Sequence, residues 1–393
     1  MSDNGKIVIV VQTTVPKTLE AFFEGQLRWL QAHGFEVHAV SSPGKSLKSI
    51  GTGEGIAIHS IQMSRSITPL ADLVSLCRLV RLYRRLRPTI VHGFTPKAGL
   101  LAMLAGWVAR VPVRIYTIFG VTPTSSTGLK RYLLRTTERL ACALAHRVFC
   151  ECDSIRRWAI GEGMAGSFKT YVLAAWSCNT VKDIFIRGCR RAEYCRSTRE
   201  ALGIAESALV MGFVGRIVPD KGVSELIEAQ HILEREFPNL HLLLVGTPEA
   251  GQPLSCASVR LVRSSPQTVS VGFQSDVAPY LGAMDLLVHP SYREGLPTVP
   301  LEAAAMGVPV VMSAIPGCVD AIEDGQTGVL VPPRDLAALT ETLRVLLGDP
   351  AMRERMGATG REWVARWCDA EQTWEELTRH YMQLAVISGA RRW

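Results

Sequence analysis

The sequence predicts an α/β protein built from two Rossmann-like domains. Strand-like apolar runs alternate with helical stretches along the whole chain, a pattern typical of parallel sheets covered by helices. The series starts twice, at Ile7 and again at Leu209, on either side of a polar, Arg-rich connection over 183–205. The length of 393 residues also indicates two domains, at ~150 residues for each.

The strand-like runs of the first half are short and mostly apolar, as expected for strands buried on both faces. They are Ile7–Val11, Glu36–Val40, Thr89–His92, Val113–Thr117, Arg147–Cys150 and Lys169–Leu173. Between them the apolar residues recur at helical spacing. The predicted helices are Leu19–His33, Leu70–Arg87, Lys97–Ala109 and Gly128–Ala145. The glycines of segment 51–55 indicate a flexible loop.

The second half repeats this alternation. Its predicted strands are Leu209–Val214, Leu240–Val245, Val269–Gly272, Leu286–His289, Val308–Met312 and Gly328–Val331. Helical patterns at 336–347 and 352–384 follow the last strand and could cross back to the first domain. We therefore predict an N-terminal domain over 1–190, a C-terminal domain over 200–370 and a returning helix over 371–393.

Two glutamates separated by seven residues mark a candidate ligand site. Glu294 falls in a loop after the strand Leu286–His289, and Glu302 falls in the first turns of the next helix. Backbone N–H groups near Thr298 and Val299 lie between these carboxylates, and the free N–H groups at a helix start bind anions. A ligand with phosphate in its middle and hydroxyl groups at both ends, such as a nucleotide-sugar, fits this pattern.

A second candidate segment, Gly215–Gly222, follows the strand that ends at Val214. Ligands of doubly wound sheets bind beyond the carboxyl ends of the strands, where this segment carries Arg216 and Lys221. A guanidinium can grip a phosphate through two N–H groups, and an ammonium adds a compact charge. The chain has no Asp-x-Asp sequence, a common arrangement for holding Mg²⁺ on a diphosphate. We expect these cations to neutralise a diphosphate without a metal or other cofactor; the alternative is a solvated surface loop.

Charge is unevenly distributed between the halves. Residues 1–200 carry a net charge of +15 and residues 201–393 a net charge of −8. Basic residues and leucines alternate in two helical stretches, at 78–87 and 130–139. Such helices suit contact with anionic lipids, although ordinary amphipathic helices with solvated basic sides have the same pattern. No motif for reading nucleic acid is present, so no nucleic-acid partner is expected.

The chain contains no apolar run of the ~18 residues that a membrane-spanning helix needs. Its N-terminus runs directly into the strand at Ile7, without a signal peptide. We expect a cytoplasmic protein that is peripheral at the inner face of the cell membrane.

Motifs of the second half resemble, in combination, those of the retaining family 4 glycosyltransferases of GT-B fold. They are Gly215-Arg216 with Lys221-Gly222, Val271-Gly272-Phe273, Pro290-Ser291-Tyr292-Arg293-Glu294-Gly295 with Leu301-Glu302-Ala303, and Gly325-Gln326-Thr327-Gly328. The first half is similar to the branch that builds bacterial capsule, O-antigen and exopolysaccharide. Its matching stretches are Ser41–Gly44, Val91–Leu100 and Arg114–Thr117.

The resemblance implies two facing domains with a cleft between them. It implies transfer of a sugar, with retention, from a nucleotide-sugar to a lipid-linked or glycan acceptor in cell-surface polysaccharide synthesis. The donor is expected to be UDP-linked. Two alternatives remain: a degenerate donor-binding or scaffold subunit without catalysis, and a GT-B nucleotide-sugar epimerase.

The resemblance also implies the roles of individual residues. Arg216 and Lys221 would hold the donor diphosphate, and Glu294 would face the transferred sugar. The donor site would also include Gly215, Gly272, Phe273, Gly295, Leu296, Thr298, Val299 and Glu302, the last accepting the ribose hydroxyls. Residues on the sugar and acceptor side would be His92, Thr95, Lys97 and Phe119.

The chain departs from the family pattern at two positions. Phe119 stands where family members usually carry a histidine, and it cannot donate a hydrogen bond. Trp176 stands in a turn that is usually rich in glycine and serine. These two residues motivate the hypothesis of a subunit that has lost catalysis.

Overall fold

The computed structural model describes residues 6–64, 66–121, 128–173, 181, 190–249 and 251–389. The chain divides into two compact units, and each contains a parallel sheet flanked by helices. Unit 1 comprises Met1–Asn179 and Asp369–Trp393, and unit 2 comprises Thr180–Cys368. The predicted class, two Rossmann-like α/β domains, is confirmed.

Unit 1 contains a seven-stranded sheet. Its strands are β1 (Ile7–Gln12), β2 (Phe35–Ser41), β3 (Ala57–Ser60), β4 (Ile90–Phe94), β5 (Val113–Ile118), β6 (Arg147–Cys150) and β7 (Thr170–Val172). Their order is β3-β2-β1-β4-β5-β6-β7, so the winding reverses between β1 and β4, at the switch point where ligands of such sheets bind. The edge strand β3 was not predicted, because none of its residues is fully buried and its pattern is not strongly apolar.

Seven helices of the described chain precede unit 2 in sequence. They are α1 (Pro16–Phe23), α2 (Gln26–Ala32), α3 (Lys45–Glu54), α4 (Pro69–Leu86), α5 (Pro96–Val108), α6 (Gly128–Leu144) and α7 (Asp153–Gly161). The predicted single helix at 19–33 is wrong, because Gly25 adopts a φ of +78° and separates α1 from α2. The predicted loop at 51–55 is also wrong, since α3 continues through Gly51, where a Cβ would lie 2.9 Å from the side chain of Ile58.

Unit 2 contains a six-stranded sheet in the order β10-β9-β8-β11-β12-β13. Its strands are β8 (Leu209–Val214), β9 (Leu240–Val245), β10 (Thr268–Gly272), β11 (Leu286–His289), β12 (Val310–Ser313) and β13 (Gly328–Val331). Its helices are α8 (Arg191–Ala201), α9 (Val223–Leu233), α10 (Cys256–Ser264), α11 (Ala278–Ala283), α12 (Thr298–Ala305), α13 (Leu336–Gly348) and α14 (Pro350–Trp367). Winding reverses between β8 and β11. The connection predicted at 183–205 contains helix α8. The buried Arg199 of this helix pairs with Asp285 at 2.9 Å.

The last helix, α15 (Ala370–Ile387), packs into the core of unit 1. Leu377, Tyr381 and Ala385 are buried in the same cluster as Ile9 of β1 and Phe94 of β4. Each large apolar side chain buried in this way contributes ~1.5–3 kcal/mol to folding. None of the helices that the structure describes is long and apolar enough to cross a membrane.

Candidate active site

In unit 2 the loop after β8 packs closely against the loop after β11 and is hydrogen-bonded to it. Gly222 has a φ of +67°, and a Cβ there would lie 2.0 Å from the carbonyl oxygen of Pro290, so only glycine permits this approach. The Tyr292 N–H donates to the carbonyl of Asp220 at 2.9 Å. Arg293 donates to Asp220 Oδ2 from Nε at 2.8 Å and from a terminal nitrogen at 2.7 Å. Because β8 and β11 are neighbours, these contacts fix both loops at the switch point of the sheet.

These contacts between the two loops bring Lys221 and Glu294 together. Lys221 Nζ donates to Glu294 Oε1 at 2.5 Å, and His289 Nε2 lies 2.6 Å from the same oxygen. The Glu294 side chain is only 12% exposed. Burial acts to raise the pKa of its carboxyl, but Lys221 and His289 outweigh it and hold that pKa well below its usual range. Glu294 is therefore ionised at neutral pH.

The second carboxylate oxygen of Glu294 is placed differently. Lys221 and His289 both contact Oε1, and Oε2 has no hydrogen-bond partner among the residues that the structure describes. A carboxylate oxygen can accept hydrogen bonds from a ligand hydroxyl. Glu294 can therefore bind a hydroxyl through Oε2 while the contacts of Lys221 and His289 with Oε1 keep the carboxylate ionised.

His289 was predicted only as the end of a strand and not as a site residue. It is the last residue of β11, and its ring is buried between Glu294 and Ser291, whose Oγ lies 3.3 Å from Nε2. A polar side chain at the carboxyl end of a buried parallel strand, five residues before Glu294, was the signal available in the sequence.

Helix α12 begins beside this cluster. Its N-cap residue, Pro297, makes no capping hydrogen bond, so the N–H groups of Thr298 and Val299 are not satisfied by a cap. Glu302 lies one turn further along and is 6% exposed. The loop before the helix is fixed at Gly317, whose φ is +90° and whose Cβ would lie 1.7 Å from the carbonyl oxygen of Gly295. Glu294, Thr298 and Val299 thus share one rigid segment.

The remaining predicted donor residues lie in or beside loops of unit 2. Arg216, next to Gly215, is 43% exposed and pairs with Glu249 at 2.9 Å. Gly272 ends β10 with a φ of +70°, and the ring of Phe273 beside it is mostly exposed. Leu296 is buried in the loop between Glu294 and α12.

In unit 1, Thr95 stands at the carboxyl end of β4 in an unusual backbone conformation. Its φ of 67° and ψ of 148° belong to a region nearly confined to glycine, which costs ~1–3 kcal/mol for other residues. Thr95 Oγ1 lies 2.7 Å from Oγ1 of Thr14, which follows β1. The switch point of unit 1 therefore carries two threonine hydroxyls. Lys97, the second residue of α5, is engaged elsewhere, since its Nζ lies 2.6 Å from Asp72 Oδ2.

The prediction for His92 needs a correction. Its ring is fully buried, with Nδ1 at 2.6 Å from the Tyr381 hydroxyl and Nε2 at 2.7 Å from Thr117 Oγ1. Burial holds the pKa of His92 well below its usual value, so the ring is neutral. In this structure His92 is a core residue that attaches α15 to the sheet, and a ligand cannot reach it.

Phe119 is also part of the packing of unit 1. Its ring is half-buried and makes edge-to-face contacts with Phe22 at 5.3 Å and Phe94 at 5.7 Å between centroids. The other departure from the family pattern, Trp176, lies outside the described residues.

Comparison with known proteins decides the family. The "Glycosyl transferases group 1" family matches residues 196–363, and the "Glycosyl transferase 4-like domain" family matches residues 18–167. The capsular polysaccharide biosynthesis glycosyltransferase CapM of Staphylococcus aureus is 31% identical over 379 residues, covering 96% of this chain and 97% of CapM. The chain belongs to the family 4 glycosyltransferases.

Two further comparisons add to this assignment. The enzyme is 25% identical over 328 residues to the UDP-Gal:α-D-GlcNAc-diphosphoundecaprenol α-1,3-galactosyltransferase of Escherichia coli, covering 82% of this chain and 83% of that protein. Its fold is similar to that of HepE from Anabaena, crystallised in complex with UDP, with a TM-score of 0.76 at 18% identity, covering 96% of this chain and 100% of HepE. The predicted GT-B fold and the glycosyltransferase assignment are confirmed.

Proposed function

We propose that this enzyme transfers a sugar from a UDP-sugar to a lipid-linked acceptor in cell-surface polysaccharide synthesis. The observation that carries the proposal is the ionised, buried Glu294, held at Oε1 by Lys221 and His289 with Oε2 available for a hydroxyl. The E. coli relative, whose name specifies a UDP-sugar and a diphosphoundecaprenol acceptor, supports the choice of substrates, as does the UDP complex of HepE.

The cations of unit 2 would stabilise the leaving group. Cleavage of the anomeric bond builds negative charge on the diphosphate, and Lys221 and the uncapped N-terminus of α12 are positive groups beside Glu294. Arg216 would join them after leaving Glu249, which is an exposed partner. Because these groups can neutralise a diphosphate, we propose that the reaction needs no metal ion.

The proposed stereochemistry is retention by front-face attack. A diphosphate oxygen would take the proton of the acceptor hydroxyl as that oxygen bonds to the anomeric carbon. Glu294, with its charge already compensated by Lys221, would then orient a sugar hydroxyl and would not act as a nucleophile. Glu302 would accept the ribose hydroxyls, and Phe273 would border the base.

We also propose peripheral binding to the cytoplasmic face of an anionic membrane. Helices α4, α5 and α6 pack side by side in unit 1, so their exposed side chains form one face. The apolar members of this face are large and well exposed. They are Leu70, Leu73 and Val74 on α4, and Leu129, Tyr132 and Leu133 on α6. Lys130 and Arg131 on α6 supply nearby positive charge, a combination typical of interfacial helices.

A panel of UDP-sugars with a lipid diphosphate-sugar acceptor tests the proposed reaction. We expect release of UDP from one donor in the presence of EDTA and an axial or equatorial product linkage that matches the donor anomer by NMR. Binding of UDP without turnover of any donor would instead support a non-catalytic subunit. Interconversion of free nucleotide-sugars would support an epimerase, and inversion of the anomer would contradict the proposed stereochemistry.

A further inference from the structure

A basic groove in unit 1 has no role in the transfer reaction proposed above. It lies between the edge strand β3 and helix α4, with a volume of about 510 Å³, within the ~300–1,000 Å³ typical of small-molecule sites. Residues of both elements line it. The lining residues include Ile58, His59, Arg78, Arg81, Leu82 and Arg85.

The three arginines of the groove are not paired with any described carboxylate. They stand at spacings of three and four residues on α4, so their side chains share one face of the helix. Across the described ranges of the chain, no carboxylate pairs with Arg78, Arg81 or Arg85, and no other hydrogen-bond acceptor contacts them. Other arginines of unit 1 do find carboxylates, such as Arg135 with Glu162 at 2.9 Å. Guanidiniums gathered without an anion repel one another, and a bound anion would relieve that repulsion.

The opposite wall of the groove supplies hydrogen-bonding groups. His59 Nε2 lies 3.0 Å from His38 Nδ1, and His38 Nε2 lies 3.0 Å from Glu36 Oε1, so the His59 ring is held in place from behind. Among the described strands β3 pairs with β2 alone, and alternate backbone N–H groups of an edge strand point away from its partner. The groove therefore has a held histidine ring on its strand wall and three cations on its helix wall.

We propose that this groove binds a phosphate group, carried either by a lipid headgroup or by a soluble phosphate compound. Several guanidiniums that converge on one space match the three charged oxygens of a phosphate, since each can donate two parallel hydrogen bonds. Leu82 and Ile58 line the groove as well, so the anion would be partly shielded from water.

His59 offers a local reporter of binding. Burial, followed by the nearby charges of His38 and Arg85, lowers the pKa of His59 to about 4. An anion beside the ring would favour the protonated form and raise that pKa. The other charged groups around His59 are Glu36, which contacts His38 on β2, and Arg78 and Arg81 across the groove on α4. Because His59 lines this groove, its ring reports directly on an anion bound there.

The test is a titration of the full-length, histidine-labelled enzyme with inorganic pyrophosphate. NMR follows the signal of the His59 ring, which is assigned by its loss in the His59→Gln variant. We expect a saturable shift and a raised pKa of His59. Arg81→Gln should raise the pyrophosphate concentration at the midpoint of the titration by about tenfold. Arg84→Gln is the matched control, since Arg84 lies on the same helix outside the groove lining, and should leave the midpoint within about twofold. No saturable shift, or equal weakening by both variants, would overturn the proposal.

Vesicle sedimentation distinguishes the two sources of phosphate. Binding to phosphatidylglycerol vesicles that pyrophosphate competes away in the wild type, and that Arg81→Gln lowers more than Arg84→Gln, would assign a lipid headgroup. Equal vesicle binding by the two variants, together with the pyrophosphate-induced shift of His59, would assign a soluble phosphate compound.

Discussion

Lys221 Nζ lies 2.5 Å from Glu294 Oε1, although 73 residues separate them in the chain. The contact depends on the packing and hydrogen bonding of two loops through Gly222, Asp220 and Arg293. It places a cation and an ionised carboxylate at the switch point of the unit 2 sheet. Loss of either partner would leave the other charge buried, which costs more than an exposed pair.

The first prediction concerns donor use. Lys221→Ala and Glu302→Ala should each lower kcat/KM for the UDP-sugar by about a hundredfold, equivalent to ~3 kcal/mol. Steady-state release of UDP measures this loss. Lys48→Ala, an exposed lysine on α3, is the control. Wild-type turnover by both site variants, with unchanged circular dichroism, would remove the site assignment.

The second prediction treats His289 as a positioning residue for Glu294. His289→Phe removes one of the groups that lower the Glu294 pKa, so that pKa should rise. An ionised carboxylate is lost as pH falls through its pKa, so the acid limb of the pH–rate profile should move to higher pH. His289→Gln restores an N–H donor and should recover most of the activity at pH 7. A purely structural role for His289 would lower stability without moving the acid limb.

The sequence predicted the two residues of this pair, but not their contact. The strand patterns predicted that Lys221 and Glu294 lie at the same edge of a sheet, because parallel strands align their carboxyl ends. The spacing of Glu294 and Glu302 indicated a ligand site at that edge. The direct ion pair depends on Gly222 approaching Pro290, a close approach of distant segments that no local pattern encodes. His92 shows the same limit, since a histidine at a strand end looks alike in sequence whether a ligand or α15 covers it.

The third prediction concerns Glu138, which is buried in unit 1 and accepts a hydrogen bond from Tyr116 at 2.6 Å. Burial raises its pKa to about 7, only partly opposed by that hydrogen bond. The unfolded chain therefore loses this proton at lower pH than the folded protein does, so stability falls as pH rises from about 4.5 to 7, by ~3 kcal/mol.

Glu138→Gln removes this titration while keeping an acceptor for Tyr116. We expect the variant to gain unfolding free energy over the wild type at pH 8 and to gain much less at pH 5, as measured by urea denaturation. Glu200→Gln, at an exposed position of α8, is the control. A difference from the wild type that is the same at both pH values would contradict this assignment.

The fourth prediction returns to Phe119. Phe119→His restores the residue that family members usually carry, so turnover should be kept or increased. The variant also weakens the contacts with Phe22 and Phe94, and the unfolding free energy should fall by ~1–2 kcal/mol. Parallel measurement of UDP release and thermal unfolding separates the two effects. A large loss of turnover in a protein that remains folded would mean that Phe119 has its own role in catalysis.

The fifth prediction tests the membrane face of unit 1. The double variant Leu70→Asp, Leu73→Asp should weaken binding to anionic vesicles by at least about tenfold, because burial of one leucine contributes ~1.5 kcal/mol or more. The double variant Ile232→Asp, Val345→Asp, at exposed apolar positions of unit 2, provides the matched control for the two charges and the lost apolar surface. Equal vesicle binding by all three proteins would exclude this face as the contact.

The placement of α15 has a consequence for synthesis of the enzyme. Unit 2 is encoded between the two segments of unit 1, so all of unit 2 leaves the ribosome before Tyr381 is available to cover His92. Domains generally fold as their residues emerge, yet here the unit made first must wait with an open apolar core until the final helix arrives. We expect released chains truncated before residue 369 to carry a folded C-terminal unit and an N-terminal unit that still requires chaperone protection.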